Sequence, residues 1–299
     1  MKTLTIFTPT YNRGDILENA YKSLKKQTNK DFIWLIVDDG STDNTEDIVE
    51  KWIGENTIEI KYIKKENGGK HTAYNVACDN TDTELIMIAL DSDDYLCEDA
   101  VETIINAWNE HGGISGIVTL CDNGDHTKPV YDKYKIDKSG ICSLQKTFAE
   151  NLFLGEARFT FKTEYVKKYK YPVIEGEKFF TEGYIYYQMD EPMYWINKST
   201  YTFLYRDDGL TKNLLKGFLQ NPVSYFLYNK VRVKHDKKMH LLFKHCIYYV
   251  AFGILSKQKN IIRQSSRPFL IFFIYPLGKI GSVYLIALGK KKGIEIWNI

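Results

Sequence analysis

The densest chemistry in the chain is Asp91-Ser92-Asp93-Asp94, three carboxylates within four residues. Such a cluster repels itself unless something positive binds it. Hard carboxylate oxygens suit Mg²⁺ or Mn²⁺, ions that also bridge phosphate oxygens. An isolated cluster of this kind serves equally as a solvated turn and helix cap. Its position directly after the apolar run Leu85–Leu90 favours the metal. A second acidic pair, Asp38-Asp39, follows the apolar run Phe32–Val37 and leads into Gly40-Ser41. An Asp at a strand end accepts hydrogen bonds from a base or ribose, although the same residues also make ordinary turns. Thr8-Pro9-Thr10-Tyr11-Asn12-Arg13 would line a nucleotide with backbone groups and a tyrosine ring. Asn67-Gly68-Gly69-Lys70-His71 would bring backbone amides and a cation close to phosphates at a helix start.

The elements that must position these residues alternate. Strands are predicted over Leu4–Thr8, Phe32–Val37, Ile58–Ile63, Leu85–Leu90 and Ile114–Leu120. Helices are predicted over Ile16–Lys26, from about Asp43, from Gly69 to about Cys78, and over Glu98–Trp108. Ser41, Thr42 and Asp43 are all competent N-caps. Strands alternating with helices imply a parallel sheet, and ligands of such sheets bind beyond the C-terminal strand ends. Every cluster above falls at such an end. From about residue 125 to 212 the pattern loosens into helical stretches (Leu144–Asn151, Glu182–Gln188) and short aromatic strands (Met193–Ile196, Thr200–Tyr205). Residues 213–299 read as a helical, aromatic and basic extension.

Taken together, Thr8-Pro-Thr-Tyr-Asn-Arg13, Val37-Asp-Asp-Gly-Ser-Thr-Asp43, Asn67-Gly-Gly69 and Leu90-Asp-Ser-Asp-Asp94 resemble, in order and spacing, a family 2 glycosyltransferase of bacterial surface-polysaccharide type. The resemblance covers roughly residues 1–212. It implies the GT-A fold, which is α/β and Rossmann-like, with a mainly parallel central sheet and flanking helices. Residues 1–120 would form the nucleotide-sugar half and 121–212 the acceptor half. It also implies a nucleoside-diphosphate sugar donor, often a UDP-sugar, a divalent metal, and inversion at the anomeric carbon. Carried over by position, Pro9, Thr10 and Tyr11 match the first donor contacts, with Arg13 beside them. Asp39 matches the base-reading Asp, Asp91 the residue holding ribose or donor sugar, and Asp93 the metal ligand, with Ser92 between them. Asn67, Gly69 and Lys70 complete the donor set. The family often carries Arg-Asn in the following helix; here the pair is Tyr74-Asn75, and Lys70 would supply the missing charge.

An inverting transfer needs a carboxylate to take the acceptor hydroxyl's proton. The candidates lie in Glu175-Gly-Glu-Lys-Phe-Phe-Thr-Glu182-Gly183, where the family often ends in Glu-Asp and this chain does not. Glu182 leads because it opens a predicted helix, whose dipole supports an ionised carboxylate; Glu177 is the runner-up. Tyr205-Arg206-Asp-Asp-Gly-Leu-Thr211 resembles the family's loop over the diphosphate, with Arg206 placed to stabilise the leaving group. The same stretch also reads as a domain-ending turn.

Formal net charge is only +2, but residues 229–299 hold 14 Lys and Arg against 2 Asp and Glu. A basic tail behind an acidic body implies an anionic partner. Long apolar runs in the tail argue against nucleic acid and for a membrane surface through residues 241–292. Residues 268–289 are nearly all apolar, interrupted by Pro276, Gly278, Lys279 and Gly281, with Arg263 and Arg267 before and Lys290, Lys291 and Lys292 after. Charges at both ends disfavour one clean span, so two in-plane amphipathic helices or a shallow hairpin are expected. The competing expectation is packing on protein or in a homodimer interface. Five scattered cysteines without a C-x-x-C pair fit a reducing cytosol. With no leader expected, the chain is placed at the inner face of the plasma membrane, next to a glycan or polyprenyl-linked acceptor. The alternative function is a non-catalytic nucleotide-sugar binding or scaffold protein. A dinucleotide oxidoreductase is discounted for want of a G-x-G-x-x-G.

Overall fold

The computed structural model describes residues 2–123, 140–150, 152, 156–204 and 214–294. The chain opens with β1 (Leu4–Thr10), α1 (Glu18–Lys25), β2 (Phe32–Asp38), α2 (Thr45–Glu55), β3 (Ile60–Lys64), α3 (Lys70–Asp79) and β4 (Leu85–Ile88). It continues through β5 (Tyr95–Leu96), α4 (Ala100–Glu110), β6 (Gly116–Asp122), β7 (Gly140–Cys142), α5 (Leu144–Ala149), β8 (Ala157–Lys162) and α6 (Thr163–Val166). Then come α7 (Gly183–Tyr186), β9 (Met193–Thr202), α8 (Leu214–Gln220), α9 (Pro222–His235), α10 (Met239–Leu255), α11 (Ile261–Gln264) and α12 (Pro268–Lys291).

One mixed sheet runs in the order β3-β2-β1-β4-β8-β6-β9-β5, with β7 added to β9. Its first four strands are parallel. β8 then runs antiparallel to both β4 and β6, and β9 is parallel to β6. Leu4, Ile6, Trp34, Ile36, Leu85 and Met87 make the inner strands apolar and fully buried, as strands covered on both faces require. Tyr21, Trp52 and Trp34 stack on one side, with centroids 4.3 and 5.8 Å apart. The register pairs Thr10 with Asp38, so the first two strands end level.

Several expected elements shift. The acidic α2 cap is Asp43, whose Oδ1 accepts from Thr45 N at 3.1 Å, although Asn44 is the half-in residue. The two aromatic strands near 193 and 200 are one ten-residue strand, β9; the exposed Asn197 and Lys198 fall where its register against β6 shifts, between Trp195 and Ser199, and do not end it. The helix expected over Glu182–Gln188 is the single turn α7.

Two compact units divide the chain. The first comprises Met1–Leu144, Leu152–Lys170 and Glu191–Tyr205; the second comprises Gln145–Asn151, Tyr171–Asp190 and Arg206–Ile299. The single cut expected at residue 212 is therefore not where compactness divides. Residues 171–190 group with the C-terminal helices because Phe179 packs on Tyr225 and Asn221 Oδ1 accepts from Lys178 N and Phe179 N. In the second unit, α9, α10 and α12 pack around Phe226, Tyr249, Val250, Ile271 and Ile274.

The apolar stretch at 268–289 is one continuous helix, not two helices or a hairpin. The amide that Pro276 lacks costs one intrahelical bond. The glycines meanwhile let α12 approach α10 closely: a Cβ on Gly278 would lie 2.4 Å from the Val250 side chain. Packing along that face holds the helix through the proline.

Candidate functional site

Three loops meet at the C-terminal ends of β1, β2 and β4. The Asp39 amide donates to Thr10 O at 2.8 Å, and the Leu90 amide to Phe7 O at 2.8 Å. The β1 loop is latched to the β2 loop. Asn12, at φ 51°, donates its amide to Ser41 Oγ (2.8 Å), and its Oδ1 accepts from Thr42 N (2.8 Å). Asn12 is among the residue types that tolerate this left-handed backbone. The turn leaves Tyr11 48% exposed at the site's mouth. Thr10 Oγ1 is buried without a hydrogen-bond partner, the kind of atom that a ligand satisfies. Pro9 and Arg13 are half-buried, and the Arg13 carbonyl accepts from Ile16 N and Leu17 N to start the next helical turn.

Asp39 is buried, and its carboxylate gathers the β3–α3 turn. Oδ1 accepts from Gly68 N at 2.9 Å and from Lys65 Nζ at 2.5 Å. Oδ2 accepts from Gly69 N at 2.7 Å and from Asn67 Nδ2 at 3.2 Å. Gly69 sits at φ 94°, where a side chain would be strained. The amides expected to face phosphates thus face Asp39. The carboxylate offers them charge-assisted acceptors in a nearly dry position. His71, next in α3, is buried, and burial pushes its imidazole down to about 4, leaving it neutral at neutral pH.

Lys70 reaches the acidic cluster directly, with Nζ 2.8 Å from Asp91 Oδ1. Tyr74 itself is buried and donates its hydroxyl to Tyr169 O at 3.0 Å, a packing role. The other side of Asp91 meets Arg158 from β8 at 3.5 Å. Burial pushes the Asp91 carboxyl up, but the charges of Lys70 and Arg158 outweigh it and hold the group below its ordinary value.

Asp94 is nearly sealed. It accepts from Tyr201 OH at 2.6 Å and Leu204 N at 2.9 Å, and lies 3.5 Å from Arg158. Burial raises its carboxyl to about 6 despite the Tyr201 bond, and the Asp91 charge adds to the rise. Asp94 therefore knits the loop to β9 and does not face outward. Ser92 and Asp93 are half-buried, and Asp93 makes no hydrogen bond or ion pair among the described residues.

Arg158 and Tyr201 were not found from sequence. The guanidinium stacks 3.9 Å from the Tyr201 ring and bridges Asp91 and Asp94. The only local signal is an Arg alternating with Ala157, Phe159 and Phe161 in a stretch not read as a strand.

Among the described residues no group of three or more His, Cys, Asp or Glu is arranged to cage a metal. With Asp91 ion-paired and Asp94 hydrogen-bonded inward, Asp93 is the one carboxylate of the cluster that remains. That donor set fits a hard cation of the Mg²⁺ or Mn²⁺ kind, which takes one or two carboxylates and completes its shell with phosphate and water.

The base candidates belong to the second unit. Glu177 is 3% exposed. It accepts from Val223 N (2.7 Å), Ser224 N (2.7 Å) and Ser224 Oγ (2.5 Å), capping the first turn of α9. Burial raises its carboxyl, and those three donors oppose the rise. Glu182 is exposed at the start of α7. A single turn carries little of the dipole first invoked for it. Arg206 lies outside the described residues.

A family model described as Glycosyl transferase family 2 matches residues 5–176. Among curated relatives, the GalNAc(5)-diNAcBac-PP-undecaprenol beta-1,3-glucosyltransferase of Campylobacter jejuni is 27% identical over 248 residues, covering 79% of this chain and 78% of that one. The chain spans only 16% to 53% of three further curated relatives. Two solved structures share the fold. Staphylococcus aureus TarS 1–349 in complex with UDP-GlcNAc has a TM-score of 0.60 at 17% identity, covering 98% of this chain and 92% of that one. The mannosyltransferase PcManGT of Pyrobaculum calidifontis, in complex with GDP-Man and Mn²⁺, has a TM-score of 0.50 at 17% identity, covering 98% and 80%. Strand-end acids, the glycine turn and a family match over more than half the chain agree: this protein belongs to glycosyl transferase family 2, on a GT-A fold with C-terminal helices.

Proposed function

We propose that the chain transfers a sugar, with inversion, from a nucleoside-diphosphate sugar to a hydroxyl of a glycan or polyprenyl-linked acceptor in surface-polysaccharide synthesis. The observation that carries this is the convergence of Thr10, Asp39, Lys70 and Asp91 at three neighbouring strand ends, with Thr10 Oγ1 buried and unsatisfied. A UDP-sugar is the favoured donor, since the TarS structure holds UDP-GlcNAc.

In this scheme residues 1–120 bind the donor, 121–212 face the acceptor, and 213–299 associate with the membrane. Asp39 holds the Asn67-Gly68-Gly69 turn, and through that turn it acts on the base. The Tyr11 ring and Pro9 line the nucleotide, with Arg13 behind them. Lys70 keeps Asp91 ionised and oriented toward the ribose or donor sugar, beside Ser92. Asp93 would hold the divalent cation. When bound, that ion neutralises charge growing on the departing nucleotide. Glu182 takes the acceptor hydroxyl's proton; Glu177 is disfavoured because its lone pairs already cap α9. Arg206 supports the leaving group. The acceptor's lipid carrier places the enzyme at the inner face of the plasma membrane.

The test is nucleotide release from a panel of nucleotide sugars, with and without Mn²⁺, for the wild type and Asp93→Ala. Cation-dependent release from one donor, lost in the variant, is expected. Donor binding by calorimetry with no release in the presence of acceptor lipids would favour the scaffold alternative.

A further inference from the structure

α12 has two unlike faces. Ile271, Ile274, Gly278, Ser282, Leu285 and Gly289 recur at helical spacing and are buried. Gly278 and Gly281 bring this side against Val250, Ile247 and Ala251 of α10. On the other side Phe269, Phe272, Phe273, Ile280, Val283 and Tyr284 are 61–84% exposed. Only 28% of the helix's most apolar window is buried, so this is not a core helix. An exposed apolar stripe of this length marks an interaction surface.

We infer that this outer face docks in the plane of an anionic lipid surface, with α12 lying along the membrane and not crossing it. Charge chooses the partner. Arg263 and Arg267 stand exposed before the stripe, and Lys290, Lys291 and Lys292 after it. A second copy seated on this face would set cation against cation whether the two helices ran parallel or antiparallel. Anionic headgroups meet both ends favourably.

Packing chooses the orientation. At 24 residues the helix is ~36 Å long, enough to span a ~30 Å hydrocarbon core. Yet its inner face shares a core with α10 through Ile271, Ile274 and Leu285, and Gly278 and Gly281 close on Val250 and Ile247. Crossing would drag α10 along, together with the buried Arg232–Asp236 ion pair (3.0 Å) and the His245 ring hydrogen-bonded to Asp236 at 2.6 Å. Lying flat immerses only the aromatic stripe, ~5–10 Å deep, while the Lys279 stem lets its ammonium reach the headgroups.

The inference rests on the proposed membrane-side work only for its biological setting, and its test reads no sugar transfer. The full chain is floated with vesicles of phosphatidylethanolamine and phosphatidylglycerol, and with phosphatidylcholine alone. Binding to the anionic vesicles is expected. The variant Phe269→Ser/Phe272→Ser/Phe273→Ser should bind them at least ~100-fold more weakly. The variant Lys290→Gln/Lys291→Gln/Lys292→Gln should lose ~100-fold on anionic vesicles and nothing on neutral ones. These side chains are exposed, so circular dichroism of both variants should match the wild type. Bound protein should be released by alkaline carbonate. Retention after carbonate would mean a spanning helix and overturn the orientation. No vesicle binding, with a dimer in sedimentation that the Phe variant dissolves, would make a second copy the occupant and overturn the proposal. No binding and no dimer would overturn it as well.

Discussion

Replacing Asp39 with Asn keeps the side chain's size and removes one acceptor together with the charge. The carboxylate serves Gly68 N and Lys65 Nζ on one oxygen and Gly69 N and Asn67 Nδ2 on the other. An amide offers a single acceptor oxygen, so whichever way it is turned, its NH₂ confronts a backbone N–H of Gly68 or Gly69. A buried donor left without an acceptor costs about 1–3 kcal/mol. Lys65, whose side chain is 19% exposed, loses its counter-charge but keeps Thr72 Oγ1 at 2.8 Å, adding roughly 1 kcal/mol. A loss of about 2–4 kcal/mol is therefore expected. It would be read in urea by tryptophan fluorescence, since Trp34 and Trp52 lie in the same core. Nucleotide affinity, measured by calorimetry, should fall with it because the turn proposed to border the base is released. A loss under ~0.5 kcal/mol, the scale of an ordinary surface change, would refute the strap. A full stability loss with unchanged nucleotide affinity would instead remove Asp39 from the base contacts.

Glu177→Gln should lower stability by about 1–3 kcal/mol through the lost α9 cap while leaving kcat within a few-fold; Glu182→Gln should do the reverse. Steady-state kinetics beside thermal melts separate the two, and a Glu177→Gln enzyme that melts normally but does not turn over would exchange the roles. Asp94 titrates near about 6 folded against 3.8 as its ordinary value, so the folded state holds the proton more tightly. Stability should then fall as pH rises from about 4 to about 6 and level off above, by up to ~3 kcal/mol. Asp94→Asn should flatten that slope in melts at a series of pH values, and an unchanged slope would acquit Asp94. Gly278→Ala drives a methyl into Val250 and should destabilise the second unit by about 1–3 kcal/mol, whereas Gly54→Ala, where a Cβ meets nothing, should be neutral or slightly stabilising. Equal melts for the two would deny the close helix contact.

Local pattern carried the first half of the molecule. β2 and β4 are continuous apolar runs ended by acids, and a strand buried on both faces admits little else. Fold family, the buried strands and the acidic cluster were therefore readable from residues that sit next to one another in the chain. Their grouping at β1, β2 and β4 followed from the rule that parallel strands point their C-terminal ends the same way.

Long-range contacts settled the rest. That Asp39 holds a turn, that Asp94 faces inward, and that Lys70 and Arg158 clamp Asp91 depends on pairs separated by 21 to 110 residues, which no spacing rule encodes. Glu177 and Glu182 look alike in sequence, and only the burial of one against the start of α9 distinguishes a cap from an exposed carboxylate. Pro276 and the neighbouring glycines read as interruptions. In the fold the glycines are where α10 comes close, because a helix breaks at such residues in water but is held continuous when its small side fits a neighbour. The sequence by itself determined which residues carry charge and which strands are buried; tertiary structure decided which of those charges are already satisfied, because satisfaction depends on what packs against them.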